Sequence, residues 1–141
     1  MHIVVVDDNE LFVDMISLYL SDKGFDVTSF TNPLEALEYC RSNDCSLLLT
    51  DLSMAELNGI ELADAVRQVD PSIRILLVSG HVDEEDKNQK AVFARHFDAA
   101  LAKPVLLQAL LLTIQELLEE NVNILPMISE LEQPKLQEAR G

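Results

Sequence analysis

Three aspartates, a serine and a lysine each stand directly after an apolar run. Asp7 and Asp8 follow IVVV, Asp51 follows LLLT, Ser79 follows ILLV, and Lys103 follows AALA. Brought together, Asp7, Asp8 and Asp51 repel one another and raise one another's pKa. A divalent cation resolves that conflict, and an all-oxygen site with few carboxylates suits Mg²⁺, which keeps several waters and often shares a phosphate. Lys103 adds a compact positive charge and Ser79 a hydroxyl donor. Carboxylate, magnesium, ammonium and hydroxyl together describe a phosphoryl site in which one aspartate can serve as nucleophile. A plainer reading makes Asp8 a helix N-cap and Asp51 an isolated strand-end residue. It accounts for each residue alone, but not for all five in one context.

The elements that carry these residues must end on one edge. Residues 3–6 are a continuous β-branched run, the mark of a strand covered on both faces. NELFVDMISLYLSDKG puts Leu11, Phe12, Met15, Ile16 and Tyr19 at helical spacing, with Gly24 as a stop. FDVTSF alternates as a strand does, and TNPLEALEYC opens a helix with Asn32 as N-cap and Pro33 at its first position. SLLLT reads as a buried strand and NGIELADAVRQVD as an amphipathic helix with Ile60, Ala63 and Val66 inward. After Pro71, IRILLVS is a strand, DEEDKNQKAVFARHF a polar helix, AALA a short strand, and VLLQALLLTIQELLEE a strong helix. In that last helix Leu107, Leu110, Leu111, Ile114, Leu117 and Leu118 make one stripe wide enough to cover a sheet. Val105 and Leu112 lie opposite, either as singly exposed apolar residues or as a homodimer or partner-docking face.

Strands alternating with helices call for right-handed crossovers and a parallel sheet. The expected fold is α/β: a flavodoxin-like, doubly wound, five-stranded parallel sheet in the order 2-1-3-4-5, with helices on both faces. In that architecture the ligand site lies at the carboxyl ends of the strands.

Composition narrows the function. The chain has 141 residues, enough for one domain with a real core. Its net charge of −15 argues against direct nucleic-acid binding and favours cations or basic patches on partner proteins. The apolar run near the start is too short for a secretory signal or a membrane span. Two cysteines, Cys40 and Cys45, without a CxxC spacing, suit a reduced cytoplasmic domain better than a disulfide scaffold; inert packing is the simpler role, redox activity the sharper one.

As an ordered set, these motifs resemble the receiver domains of two-component response regulators. The set comprises Asp7-Asp8, Asp51, DLSMAELNG in place of D-x-x-M-P-x-x-x-G, Ser79-Gly80, and Lys103-Pro104. The resemblance covers residues 3–120. It implies that Asp51 is the phosphoacceptor, receiving a phosphoryl group from a sensor histidine kinase or a histidine phosphotransfer protein. It further implies that Asp8, Asp51 and the backbone carbonyl of Ser53 bind Mg²⁺, with Asp7 acting through water. Ser79 and Lys103 would contact the phosphoryl oxygens. Ser53 and His81, two residues beyond Asp51 and Ser79, occupy positions that tune phosphoryl loss, beside Gly80. Lys103-Pro104 would be a cis peptide. The domain is then a phosphorylation-controlled protein-interaction switch rather than an enzyme acting on external substrates.

Three places depart from the family pattern. Ala55 stands where proline is usual, which loosens the loop after Asp51. Ala100, three residues before Lys103, replaces a switching aromatic, for which Phe97 is a candidate substitute. The fourth helix region is longer and more polar than usual. A magnesium-dependent phosphohydrolase of the haloacid-dehalogenase type would want an aspartate where Ser53 stands, and the complete residue set disfavours a degenerate receiver. The expected division is a receiver over residues 1–121 and an acidic tail or linker over 122–141, where PMISEL can begin a short helix. The chain is therefore read as either a stand-alone receiver or the N-terminal part of a longer regulator with an effector domain.

Overall fold

In the computed structural model, which describes residues 1–119, five strands and five helices alternate strictly. They are β1 (His2–Val6), α1 (Glu10–Asp22), β2 (Asp26–Phe30), α2 (Pro33–Ser42), β3 (Leu47–Thr50), α3 (Gly59–Val69), β4 (Arg74–Ser79), α4 (Lys87–Phe93), β5 (Ala99–Ala102) and α5 (Leu107–Glu119). All neighbouring strands pair in parallel, in the order β2-β1-β3-β4-β5. The flavodoxin-like doubly wound sheet is thus the observed fold. The boundary at 121, the tail over 122–141 and the short helix expected there lie outside the described residues.

Strand side chains alternate between faces, and each apolar run therefore builds two cores at once. Val4, Val6, Leu48, Ile75 and Leu77 pack on one side with residues of α2, α3 and α4, among them Leu37, Leu62, Val66 and Phe93. Ile3, Val5, Leu47, Leu49, Leu76 and Val78 pack on the other with Ile16 and Leu20 of α1 and Leu110, Ile114 and Leu117 of α5. β3 lies in the middle of the sheet and all four of its residues are buried. Its three consecutive leucines follow from having two covered faces, and the one polar residue, Thr50, has its hydroxyl satisfied by the Asp51 carbonyl at 2.8 Å.

Helix entries follow local side-chain chemistry. Asn32 accepts from the Leu34 amide at 2.8 Å, with Pro33 behind it at the first helical position. Asn58 and Glu61 close a reciprocal capping box at the start of α3, at 2.8 and 2.9 Å.

Four expectations need correction. α1 buries Val13, Ile16 and Leu20, while Leu11 and Met15 are exposed and Phe12 and Tyr19 are half-buried. That helix is apolar on more than one stripe, so spacing alone does not select the buried one. α3 buries Leu62 with Ala63 and Val66, leaving Ile60 half-buried. α4 is only seven residues long, because Asp83 and Asp86 turn the chain first: Asp83 accepts from the Glu85 amide, and Asp86 caps the helix through the Asn88 and Gln89 amides. Val105 packs partly buried against the α1–α5 core instead of facing away with Leu112, which is exposed.

Gly59 explains the glycine eight positions after Asp51. Its amide donates to the Leu52 carbonyl at 2.7 Å. A Cβ there would run into the Asp51 backbone carbonyl oxygen and sit 3.0 Å from the Leu52 Cα. At Gly80 the same addition meets nothing within 4 Å. Gly59→Ala is expected to cost about 1–3 kcal/mol of stability through backbone overpacking, and Gly80→Ala to stay within roughly 0.5 kcal/mol of wild type. Urea denaturation of both variants checks this; equal midpoints would show that the close approach at Gly59 is not a constraint.

Candidate functional site

The strand ends are held in place by one further rung of the sheet ladder. The Asp7 amide donates to the Phe30 carbonyl at 3.2 Å, the Asp51 amide to Val6 at 3.1 Å, and the Lys103 amide to Ser79 at 3.1 Å. Side chains that begin one residue past a strand therefore inherit the rigidity of the sheet. Across the carboxyl edge they fall in the order Asp7 and Asp8, Asp51, Ser79, Lys103.

Asp7 is 1% exposed and accepts from Lys103 Nζ at 2.6 Å through one oxygen and from the Asn9 amide at 2.9 Å through the other. β5 lies three strand spacings from β1, each about 4.8 Å, so only a long side chain bridges the gap. Lys103 Nζ also lies 3.9 Å from Asp51 Oδ2. Asp51 is 9% exposed, and its Oδ1 accepts from the Leu52 amide at 2.8 Å. Burial pushes the Asp51 carboxyl above the usual carboxylate range, and the neighbouring Asp7 pushes the same way. The Leu52 amide, Lys103 and the Ser79 hydroxyl offset part of that rise. Ser79 is fully buried; its Oγ accepts from the His81 amide at 3.1 Å and keeps its own proton to donate.

One carboxylate oxygen from each of Asp7, Asp8 and Asp51 lies within 4.8 Å of the others. Ligand atoms of one octahedral Mg²⁺ are roughly 3–4 Å apart, given bonds of about 2.1 Å. The three hard oxygen donors therefore fit that ion after small rotations, and Asp8, which is exposed, leaves room for water.

Ser53, Gly80, His81 and Pro104 are all solvent-exposed at the rim, and Lys103-Pro104 is a cis peptide. Open space around a Gly80 Cβ removes any packing need for glycine there. Ala100 lines a cavity of about 490 Å³ bounded in part by Phe93, Phe97 and Leu101. Phe97 does not stand in for an aromatic at Ala100: it is 5% exposed, within the core, edge-on to Phe93 at 5.7 Å.

Two further residues contribute to the site. Phe12 places its ring centroid 4.2 Å from Lys103 Nζ, a cation–π contact that adds to the ammonium's hydrogen bond to Asp7. Asn9, not Asp8, caps α1, accepting from the Phe12 amide at 3.2 Å while its own amide holds Asp7. The N-terminal asparagine-to-helix pattern signals the cap; nothing in spacing signals the ring.

Asp51 carries an electrostatic cost that its surroundings do not fully offset. An aspartate whose folded-state pKa lies above its unfolded value destabilises the fold above the folded value and not below the unfolded one. The cost therefore fades as pH falls through that window. Asp51→Asn is expected to raise the melting temperature of the metal-free protein by roughly 2–5 °C at neutral pH, with the gain shrinking under mild acid. Thermal melts at both pH values check this, and a lower melting temperature for the variant at neutral pH would refute it.

Comparisons with known proteins identify the family and the fold. Residues 3–115 match the family described as the response regulator receiver domain. The response regulator receiver protein CpdR of Brucella abortus is 38% identical over 74 residues, covering 52% of this chain and 61% of that protein. The chain spans less than two thirds of the length of the curated relatives it matches first. A CheY-like receiver domain protein from Methanospirillum hungatei superposes with a TM-score of 0.78 at 26% identity, covering 86% of this chain and 95% of the other. A response regulator from Burkholderia pseudomallei, solved with a phosphorylated aspartic acid, calcium ion and citrate, gives 0.71 at 25% identity, covering 86% and 71%.

Proposed function

The chain belongs to the response regulator receiver domain family, and from that membership we propose that Asp51 accepts a phosphoryl group and that the domain relays this state to a protein partner. The observation that carries the reading is the placement of Asp51: nearly buried at the centre of the edge, between a carboxylate pair and Lys103. Its Oδ1 is engaged by the Leu52 amide, leaving Oδ2 as the attacking oxygen. That oxygen bonds to phosphorus as the bond to the donor breaks, and the donor leaves with the electron pair. Lys103 stands 3.9 Å from the attacking oxygen, close enough to share charge with the incoming phosphoryl oxygens.

Mg²⁺, held by Asp8, Asp51 and the Ser53 carbonyl with Asp7 acting through water, would neutralise the acidic edge and orient the phosphoryl oxygens. The phosphorylated aspartic acid and calcium ion described for the Burkholderia pseudomallei protein support both parts of this reading. The expected donor is a phosphohistidine on a sensor kinase or phosphotransfer protein, and the expected receiver of the signal is a downstream protein or an effector domain. No helix among the described residues is long and apolar enough to cross a membrane.

Readout starts at Ser79. Donating its hydroxyl to the new phosphoryl group draws Ser79 Oγ away from the His81 amide. The His81 carbonyl accepts from Gln89 of α4 at 2.7 Å, and the same side chain accepts from the Asp83 amide at 2.7 Å. A shift at Ser79 is thereby passed to α4 without an aromatic at Ala100.

Acetyl phosphate with Mg²⁺ is expected to add one acid-labile phosphoryl group to the wild type and none to Asp51→Asn, as read by intact-mass measurement. Omitting Mg²⁺ should slow the addition by at least about tenfold, on the scale of lost transition-state charge stabilisation. Equal modification of the variant, or an unmodified wild type under saturating donor, would defeat the assignment.

A further inference from the structure

The two cysteines have no part in the phosphoryl site. Cys40 sits in the last turn of α2 and Cys45 two residues before β3, and both are buried, at 7% and 9% exposure. Their sulfurs are 3.9 Å apart, in thiol–thiol contact, and both are free thiols. They are the only cysteines of the chain. We propose that Cys40 and Cys45 are an oxidative modification site, a dithiol that hydrogen peroxide converts into an intramolecular disulfide.

Closing the pair to the roughly 2.05 Å of an S–S bond needs a movement of about 2 Å. The residues between them can supply it, because Asn43 and Asp44 are exposed and outside any helix or strand. Burial ordinarily makes a thiol inert, but here each sulfur has the other as its neighbour. The thiol–thiol contact lowers the Cys45 pKa, whereas that contact and burial hold Cys40 above the usual thiol range. Cys45 lies outside any helix or strand, next to the exposed Asp44, while Cys40 is fixed within α2, so Cys45 is assigned as the attacking sulfur and Cys40 as the resolving one.

The chemistry balances. The Cys45 thiolate attacks one peroxide oxygen, the O–O bond breaks, and the departing hydroxide takes up the thiol's proton as water. The Cys40 sulfur then attacks the sulfur of the Cys45 sulfenic acid, the S–O bond breaks, and the hydroxyl leaves with the Cys40 proton as a second water. Two thiols lose two electrons together and one peroxide is reduced. The site stands at the opposite end of β3 from Asp51 and does not depend on phosphoryl chemistry.

Arg41 lies between the two cysteines, so trypsin separates residues 24–41 from 42–67 unless a disulfide joins them. The test treats the folded wild-type chain with hydrogen peroxide, blocks remaining thiols, digests it and measures peptide masses. The expected result is one linked species carrying both peptides, two hydrogens lighter than their sum and separated by a reductant. Cys40→Ser should give no link and should leave a sulfenic acid on Cys45 that dimedone captures. Peptides that separate without reductant, links between two chains, or a link that forms only in guanidinium would each overturn the proposal.

Discussion

The contact between Lys103 and Asp7 is the interaction on which the carboxyl edge depends. Asp7 is almost completely removed from water, and a buried carboxylate loses hydration that a partner must replace. Lys103 supplies it at 2.6 Å from the far side of the sheet, and in doing so pins the end of β5 to the end of β1. The Phe12 ring contacts the ammonium and the Asn9 amide donates to the carboxylate, so each partner has a second support. Because one ammonium serves two buried acids, Asp51 receives only a distant share at 3.9 Å. The imbalance is the useful part: it leaves Asp51 with an electrostatic need that a cation or a ligand bearing one can meet.

Such a strained arrangement is tolerable only on a stiff support. The five-stranded sheet provides it: Asp7, Asp51 and Lys103 each lie one ladder bond past a strand, Ser79 is the last residue of β4, and the strand side chains alternate into two separate cores. Sequence and chemistry are linked here by a single rule. A strand buried on both faces is apolar along most of its length, so its polar residues collect at its carboxyl end, as Thr50 and Ser79 do.

That rule is why so much of the molecule is legible in its sequence. The runs before Asp7, Asp51, Ser79 and Lys103 announce both a doubly covered parallel sheet and the edge where chemistry collects. Legibility fails where several solutions share one pattern. α1 carries Leu11, Phe12, Met15, Ile16, Leu18 and Leu20, and helical periodicity fits more than one stripe among them. The region before α4 reads as helix from its polar periodicity, yet Asp83 and Asp86 bond to amides two and three residues on and turn the chain first. The Phe12–Lys103 contact joins residues far apart in sequence and is set by tertiary packing alone.

The small side chain at Ala100 shifts weight onto the polar connection between β4 and α4. A cavity beside Ala100 and a core-locked Phe97 leave no large ring there to move with Ser79. What remains is a run of short hydrogen bonds from Ser79 Oγ to the His81 amide, and from the His81 carbonyl to Gln89. Gln89 grips the loop twice, through His81 and Asp83, and does so from the first turn of a helix of only seven residues. A short helix with few buried contacts is inexpensive to displace, as low-stability elements must be if they are to move. On these grounds α4 is suited to follow Ser79 in the proposed readout, and the Gln89 side-chain amide is the contact through which that coupling would run.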